Sequence, residues 1–221
     1  AEELVKASFP SKVFFCNSGT EANEAAIKLA RKYGKEVHGD EKYEIVALFN
    51  SFHGRTFGSL SATGQVKYHK GFEPLVPGFF HVPFNDMVAL EAILGMRTAA
   101  VMLEPIQAEG GVVMPSEDYL RKVREMCTKK KTLLIFDEVQ VGLGRTGKLF
   151  AYQHFGVEPD ILTLGKSLGG GLPMAAMLAR TELASALGPG SHAVTMGGSP
   201  LVAQAALVAY VTGAYAADFQ A

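Results

Sequence analysis

The chain has 221 residues, with 21 basic and 22 acidic side chains and a formal net charge of −1. A nucleic-acid-binding surface needs an excess of basic residues to displace counterions, so this balance argues against a nucleic-acid partner. Hydrophobic residues make up 48% of the chain and charged residues 19%, which excludes intrinsic disorder and predicts a sizeable core.

The two cysteines, Cys16 and Cys127, are too few for a disulfide framework, and they predict reduced thiols in a cytoplasmic or mitochondrial-matrix protein. The apolar runs at 98–103 and 133–136 are far shorter than the roughly 20 residues that span a bilayer, so no membrane partner is expected. The opening residues AEELVKASFP are typical of the end of a helix, so the chain is expected to start within a domain.

Short apolar segments alternate with helical ones along the chain. The seven predicted strands are residues 13–16, 44–49, 79–82, 98–105, 132–138, 160–165 and 174–179. Helices are predicted at 21–33, at 86–94 with Asp86 as N-cap, at 116–130 and at 201–210, with a short one after the second strand. The strands are continuously apolar, as strands buried on both faces are. We therefore predict an α/β fold, with a mostly parallel seven-stranded sheet and helices on both faces.

Polar residues follow four of these strands, and in open α/β sheets ligands bind outside the carboxyl ends of the strands. After the first strand, Ser18, Gly19 and Thr20 lead into a helix. A helix N-terminus suits a phosphate, because its first N–H groups are free and its dipole end is positive. An ordinary Ser/Thr N-cap explains the same residues equally well.

Phe52 and Arg55 follow the second strand. A ring and a guanidinium there suit stacking on a planar ligand and binding of a carboxylate, although a surface arginine beside a packed ring is the simpler interpretation. Asp137 and Glu138 follow the fifth strand. Burying two acids costs free energy unless a cation meets them. Either a structural pair or an acid that faces a protonated ring nitrogen explains them.

Lys166 stands between the apolar sixth strand and the glycines at 169–171. Lysine normally lies on solvated faces, and burial would lower the pKa of its amine, which suits Schiff-base chemistry. The nearby GLGRTG at 142–147 matches a dinucleotide fingerprint, but an acidic segment separates it from the strand, so we reject that interpretation. The six histidines lack the spacing of metal ligands, so no metal is expected.

Phosphate donors, an aromatic face, an acid and a lysine thus follow four strands. Together they predict a pyridoxal phosphate site, in which the lysine carries the cofactor and the acid partners the ring nitrogen. Seven stretches extend this pattern: FFCNSGTEANEAAIKLAR, NSFHGRT, SATGQVKY, EPIQAEGG, LLIFDEVQ, GLGRTGKLFAY and GKSLGGGLPMAAML. With them, residues 1 to about 210 resemble the class III aminotransferases of fold type I, the ornithine and acetylornithine type.

The resemblance implies roles for individual residues around the cofactor ring. Lys166 matches the Schiff-base lysine, which also moves a proton at the substrate Cα. Asp137 matches the acid that keeps the ring nitrogen protonated. Val139 and Phe52 would pack on opposite faces of the ring, and Gln140 would lie near its phenolic oxygen.

Further matches concern the phosphate and the substrate. Ser18, Gly19 and Thr20 match the phosphate-binding turn, where the lack of a Cβ at Gly19 would permit close approach of the ligand. Arg55 matches a contact to a substrate carboxylate. Glu109 matches a glutamate that in some members guards the substrate arginine.

Thr195 matches a threonine that reaches the phosphate of the neighbouring subunit, so the resemblance implies a homodimer. Val194 stands where the family has a substrate-contacting serine, which is a departure from the pattern. Segments of the family's small domain, including a second substrate arginine, have no counterpart here. Residues 1–221 are therefore expected to be one large cofactor-binding domain, truncated at both ends.

The resemblance implies an enzyme that transfers an ω-amino group between an amino acid and a 2-oxoacid. N-acetylornithine and 2-oxoglutarate, a pair that belongs to arginine biosynthesis, are the substrates expected. Ornithine or 4-aminobutyrate aminotransferase, and a non-catalytic cofactor-binding fragment, are the alternatives. Because the second arginine has no counterpart, the 221-residue chain alone is expected to show little or no turnover.

Overall fold

A computed structural model describes residues 1–211, with side chains for residues 1–210. Its helices are α1 Glu2–Ala7, α2 Gly19–His38, α3 Phe57–Ala62, α4 Met87–Ile93, α5 Tyr119–Lys130, α6 Thr181–Ala184 and α7 Pro200–Val211. Its strands are β1 Ser11–Cys16, β2 Glu44–Leu48, β3 Phe79–Val82, β4 Thr98–Leu103, β5 Leu133–Asp137, β6 Ile161–Leu164 and β7 Ala175–Arg180. Within this part of the chain, no helix combines the length and the apolar character that a membrane crossing requires.

The seven strands form one sheet in the order β1-β7-β6-β5-β4-β2-β3. Strands β2 to β6 pair in parallel, whereas β7 is antiparallel to both β1 and β6. The α/β class, the mostly parallel sheet and all seven predicted strands are confirmed, with strand ends displaced by at most two residues. The apolar runs located the strands because a strand covered on both faces has no solvent-facing side.

Helices cover both faces of the sheet, as the sequence predicts. Successive strand residues point to opposite faces, and every residue of β4 is buried. Val101 and Leu103 pack in one core cluster with side chains of α4, α5 and α7. Ala100 and Met102 pack in another with the alanine-rich face of α2. The sheet is therefore the middle of three layers.

Helix α2 is longer than predicted at both ends. It begins at Gly19 rather than residue 21, and it continues to His38, past Gly34. Gly34 does not end the helix but lets it approach the chain closely, since a Cβ there would collide with the carbonyl oxygen of Lys42. The predicted N-cap of α4 is confirmed, because Asp86 Oδ1 accepts from Ala89 N at 2.9 Å.

Helix α5 begins later than predicted, at Tyr119 instead of residue 116. Ser116 belongs to a turn in which its carbonyl oxygen accepts from Tyr119 N at 3.0 Å. The segment 142–147 forms turns that do not lead directly into an α-helix, which agrees with its rejection as a dinucleotide site.

Both cysteines are buried free thiols. Burial raises the pKa of Cys16 and that of Cys127 to about 12. Since the thiolate is the reactive form, these side chains behave as small core residues.

Glu138 follows β5 and is 1% exposed. Its Oε2 accepts from Ala151 N and its Oε1 from Tyr152 N, each at 2.7 Å. Burial raises the pKa of Glu138 to about 8, although these two N–H groups oppose the rise. Of the interpretations of the two acids at this strand end, Glu138 fits the structural one, because it fixes the short turn at 151–154 to the end of the sheet.

Glu138→Gln should lower the free energy of unfolding by about 1–3 kcal/mol, because the amide NH₂ faces one of two buried N–H donors and leaves it without an acceptor. Urea denaturation at pH 7 measures the effect. Glu125→Gln is the matched control, since the side chain of Glu125 is 66% exposed on α5. Equal unfolding midpoints for the two variants would contradict the role of Glu138.

Candidate active site

The carboxyl ends of β5 and β6 and the first turn of α2 meet at one edge of the sheet. A Cβ at Gly165 would lie 3.3 Å from Gly19 Cα and 3.3 Å from Val139 Cγ1. Lys166 Nζ donates to Gln140 Oε1 at 2.6 Å. The fold therefore brings the predicted lysine, the acidic segment and the predicted phosphate turn together.

Asp137, at the end of β5, is 3% exposed. Its Oδ2 accepts from Asn23 Nδ2 at 2.7 Å and hydrogen-bonds His53 Nδ1 at 2.8 Å, while its Oδ1 accepts from Val139 N at 3.0 Å. Within residues 1–210 no lysine or arginine pairs with this carboxylate. These three partners fix the direction of the Asp137 carboxyl group, so the site contains a buried acid whose oriented oxygens suit a cationic ligand atom.

Three residues of this network are absent from the sequence-based prediction. Asn23 lies on the buried face of α2, and its Oδ1 accepts from Thr163 Oγ1 at 2.7 Å. His53 is 2% exposed. The usable signal for Asn23 was one amide on an otherwise alanine-rich apolar face. His53 was considered only as a metal ligand, and no local pattern links it to an acid 84 residues away.

Glu104, just after β4, is a further buried acid that the prediction lacked. Burial raises its pKa to about 7; the charge of His53 opposes this and that of Asp137 adds to it. Glu104 Oε2 accepts from Phe52 N at 3.0 Å, and its Oε1 lies 3.5 Å from Gln140 Nε2. Glu104 thus holds two of the predicted cofactor-contacting residues in position.

Lys166 has a backbone φ of +47°. A left-handed backbone is uncommon for residues with a Cβ, and such strain is concentrated at functional sites. Partial burial lowers the pKa of its amine, the carboxylates of Asp137 and Glu104 oppose this shift, and the Arg145 guanidinium adds to it. Lys166 is therefore an amine that loses its proton more readily than an ordinary surface lysine.

The side chain of Lys166 borders a cavity of about 710 Å³. The polar part of the lining includes Gln140 and Arg145. Most of the remaining wall is apolar and comes from the segments around Ile106, Val112 and Val141. An apolar wall with a few converging polar groups is typical of small-molecule sites.

The predicted phosphate turn is a capped helix start. Ser18 Oγ accepts from Glu21 N at 3.4 Å, and the Glu21 carboxylate accepts from Ser18 N at 3.0 Å, so the two form a capping box. The N-cap interpretation is therefore confirmed. It is compatible with anion binding, because the first N–H groups of any helix lack intrahelical acceptors.

Gly19 and Thr20 differ in detail from what the resemblance implies. A Cβ at Gly19 would collide with the side chain of Val139, so glycine is required here for packing between the helix start and the acidic segment. Thr20 Oγ1 lies 2.8 Å from Thr56 Oγ1. The Thr20 hydroxyl thus ties α2 to the segment that carries Phe52 and Arg55.

Phe52, Arg55 and Glu109 form a group around Tyr68. The Arg55 guanidinium lies 4.2 Å from the centroid of the Tyr68 ring and 5.6 Å from that of Phe52. Glu109 accepts hydrogen bonds from Tyr68 Oη at 2.6 Å and from Gln65 Nε2. Arg55 and Glu109 therefore contact the same tyrosine, Arg55 at its ring and Glu109 at its hydroxyl.

Thr195 is exposed, and Val194 before it is half-buried. The segment continues against β1, where a Cβ at Gly197 would collide with the backbone of Phe15. Within the described residues no hydrogen bond joins Thr195 to Lys166 or Asp137. The structure therefore does not bring Thr195 into the lysine and carboxylate group of its own chain.

One edge of the α/β sheet thus carries a lysine with a left-handed backbone, a buried acid and a helix start. The chain belongs to the class III aminotransferase family, whose model matches residues 1–218. That match extends beyond the limit of about residue 210 that the motifs indicated.

Relatives of the chain also have aminotransferase names. The chain is 55% identical over 207 residues to the acetylornithine aminotransferase of Methanocaldococcus jannaschii, and the match covers 94% of this chain and 52% of that protein. It is 55% identical over 209 residues to the acetylornithine aminotransferase of Aquifex aeolicus, covering 94% and 55%. The chain thus spans about half the length of these relatives.

Solved structures of similar proteins share the fold. The ornithine aminotransferase of Toxoplasma gondii superposes with a TM-score of 0.92 at 38% identity, covering 98% of this chain and 52% of that one. An (S)-enantioselective omega-transaminase from Thermomicrobium roseum superposes with a TM-score of 0.92 at 32% identity, covering 99% and 55%.

The charge of Arg145 gives a test of the Lys166 environment. Arg145→Ala should shift the pH dependence of Lys166 acylation to higher pH, because a nearby cation disfavours the protonated amine and its removal raises the pKa. Trace labelling with acetic anhydride, read by mass spectrometry across a pH series, measures this. Arg121→Ala on the exposed face of α5 is the control. An acylation curve that stays in place, or moves to lower pH, would contradict the effect of the Arg145 charge on the pKa of Lys166.

Proposed function

We propose that residues 1–221 are the large cofactor-binding domain of a pyridoxal-phosphate-dependent aminotransferase. The proposed reaction transfers the ω-amino group of N-acetylornithine to 2-oxoglutarate. One observation carries the proposal: the Lys166 amine, with its lowered pKa, shares a strand-end edge with the buried Asp137 carboxylate, which forms no ion pair with a lysine or arginine of residues 1–210. The relatives at 55% identity support the choice of substrate, since they are named acetylornithine aminotransferases.

The residues present fit this cofactor. An amine can bond to its carbonyl carbon, a buried carboxylate can pair with its protonated ring nitrogen, and a helix N-terminus can bind its phosphate. Phe52 and Val139 are half-buried apolar side chains near these groups. A solved ornithine aminotransferase of Toxoplasma gondii, 37% identical to this chain, is described with pyridoxal phosphate at its active site.

When bound, pyridoxal phosphate supplies an electron sink for negative charge at the amine-bearing carbon of the substrate. Asp137 would hold the proton on the ring nitrogen, and Asn23 and His53 would fix the direction of its carboxylate. Lys166 would hold the cofactor and then move a proton at the substrate carbon. Gln140, 2.6 Å from the Lys166 amine, would orient it. Arg55 would bind a substrate carboxylate.

Ornithine as the amine donor is the second candidate. The ornithine aminotransferase of Toxoplasma gondii, a solved structure that is 38% identical to this chain, supports it. Sequence identity favours N-acetylornithine, at 55% against 38%. Initial rates with the two donors and with 4-aminobutyrate would decide between them, and they would also detect a fragment without turnover.

Incubation with pyridoxal phosphate and borohydride should label Lys166, since this lysine follows a buried strand and its amine lies near the carboxylates of Asp137 and Glu104. Peptide mapping by mass spectrometry locates the label. Lys166→Arg should abolish the label, whereas Lys129→Arg, at the exposed end of α5, should retain it. A label on another lysine in the wild-type protein would refute the proposal.

We further infer that the protein is a homodimer. Helix α7 is apolar on all sides, and its Leu201, Leu207 and Val208 are 74%, 41% and 50% exposed. A helix of this composition is normally buried. The family resemblance places Thr195, which precedes α7, at the phosphate of the other subunit.

Sedimentation at micromolar concentration with pyridoxal phosphate should therefore give a dimer. Thr195→Ala should weaken cofactor affinity by about tenfold, as expected when a hydrogen bond to a charged group is lost. Thr128→Ala, on the exposed side of α5, should not. A monomer that binds the cofactor as tightly as the dimer would refute the inference.

A further inference from the structure

Tyr68 contacts two residues of opposite charge. Its hydroxyl donates to Glu109 Oε1 at 2.6 Å, and its ring carries the Arg55 guanidinium at 4.2 Å. Gln65 donates to the other oxygen of Glu109. Gln65 is itself held in place, because its Nε2 lies 3.2 Å from the carbonyl oxygen of Asn50. One aromatic residue therefore contacts the acid through its hydroxyl and the base through its ring.

Glu109 is stabilised without pairing to Arg55. Burial alone would raise the pKa of Glu109, but the hydrogen bonds from Gln65 and Tyr68, together with the charges of Lys67 and Arg55, leave the pKa below its ordinary value. The Lys67 amine lies 3.8 Å from the carboxylate. Within the described residues, Arg55 makes no ion pair with any carboxylate.

This arrangement disfavours an ion pair between Arg55 and Glu109, which their opposite charges alone would favour. An arginine and a carboxylate form a strong bidentate pair when both are available. Here two neutral donors occupy the oxygens of Glu109, and the Tyr68 ring holds the guanidinium by a cation–π contact. Removal of the hydroxyl would leave Glu109 one donor short, with Arg55 against the same ring.

We propose that Tyr68, aided by Gln65, is a specificity-determining residue that holds Glu109 away from Arg55 and so keeps the guanidinium open to a substrate carboxylate. The inference rests on the proposed function for the identity of that substrate. It adds that the affinity of the site for carboxylates is set by the hydroxyl of Tyr68, through Glu109, and not by Arg55 alone.

A structural role for Tyr68 makes a different prediction. The Tyr68 ring packs edge-on against Phe52 with centroids 5.6 Å apart. Tyr68→Phe retains this packing and the ring under Arg55 and removes only the hydroxyl. A purely structural role would thus leave carboxylate affinity unchanged in Tyr68→Phe.

Glutarate is a suitable probe, because it has two carboxylates and no carbonyl that could react with Lys166. Calorimetric titration of the full chain, with and without pyridoxal phosphate, should show glutarate binding about tenfold weaker in Tyr68→Phe than in the wild type. Gln65→Met should weaken binding in the same direction. The double variant Tyr68→Phe/Glu109→Gln should recover the wild-type affinity within about twofold, since the competing carboxylate is gone.

Tyr43→Phe is the matched control. The Tyr43 hydroxyl accepts from Arg97 at 2.6 Å and its ring also carries that guanidinium, in a group that does not contain Arg55 or Glu109. Its glutarate affinity should equal that of the wild type. If Tyr68→Phe fails to fold, Gln65→Met alone and with Glu109→Gln gives the same comparison.

Three results would overturn the inference: no glutarate binding by the wild type, unchanged affinity in the folded Tyr68→Phe variant, or a weakened affinity that Glu109→Gln does not restore. Absorbance titration with pyridoxal phosphate in the same samples tests the proposed function separately. Loss of cofactor binding with the glutarate pattern intact would refute the proposed function and leave the role of Tyr68 standing. Normal cofactor binding with no effect of Tyr68→Phe on glutarate affinity would refute the role of Tyr68 and leave the proposed function standing.

Discussion

The buried carboxylate of Asp137 is the constraint around which the other site residues are arranged. A charge in this position costs several kcal/mol unless donors replace the lost water. Those donors come from separate parts of the chain: Asn23 on α2, His53 after β2, and the backbone of Val139. Thr163 on β6 then fixes the amide of Asn23. Satisfying one carboxylate therefore sets the positions of α2, β5, β6 and the segment after β2 relative to each other.

The other two buried acids act on the same edge of the sheet by different means. Glu138 is bound by two backbone N–H groups and fixes the turn at 151–154. Glu104 accepts from the backbone of Phe52 and lies near the amide of Gln140. Within residues 1–210 neither acid forms an ion pair with a lysine or arginine, so neither of them neutralises Lys166 or Arg145. At Lys166, partial burial lowers the pKa of the amine, whereas the carboxylates of Asp137 and Glu104 raise it.

Local signals in the sequence carried most of the fold and part of the site. Continuous apolar runs located seven strands, because a strand that is buried on both faces has apolar residues at nearly every position. Lys166 and Asp137 were identifiable because a charged residue directly after such a run is unusual. The partners of Asp137 were not, since Asn23 is 114 residues away and the contact exists only after the sheet has formed. The reason for glycine at position 19 was likewise hidden, because it depends on the Val139 side chain from another strand end.

The reversed direction of β7 has a mechanical consequence for Lys166. Because β7 runs antiparallel to its neighbour β6, the chain leaves β6 at Leu164 and re-enters the sheet at Ala175 on the same edge. The intervening segment 165–174 is anchored at both ends to adjacent hydrogen-bonded strands, so its path is more constrained than that of a free loop. A short segment anchored in this way has little conformational entropy to lose when a ligand binds. If Lys166 holds the cofactor as proposed, the free energy gained on binding can go into orienting the ligand and not into ordering the lysine segment.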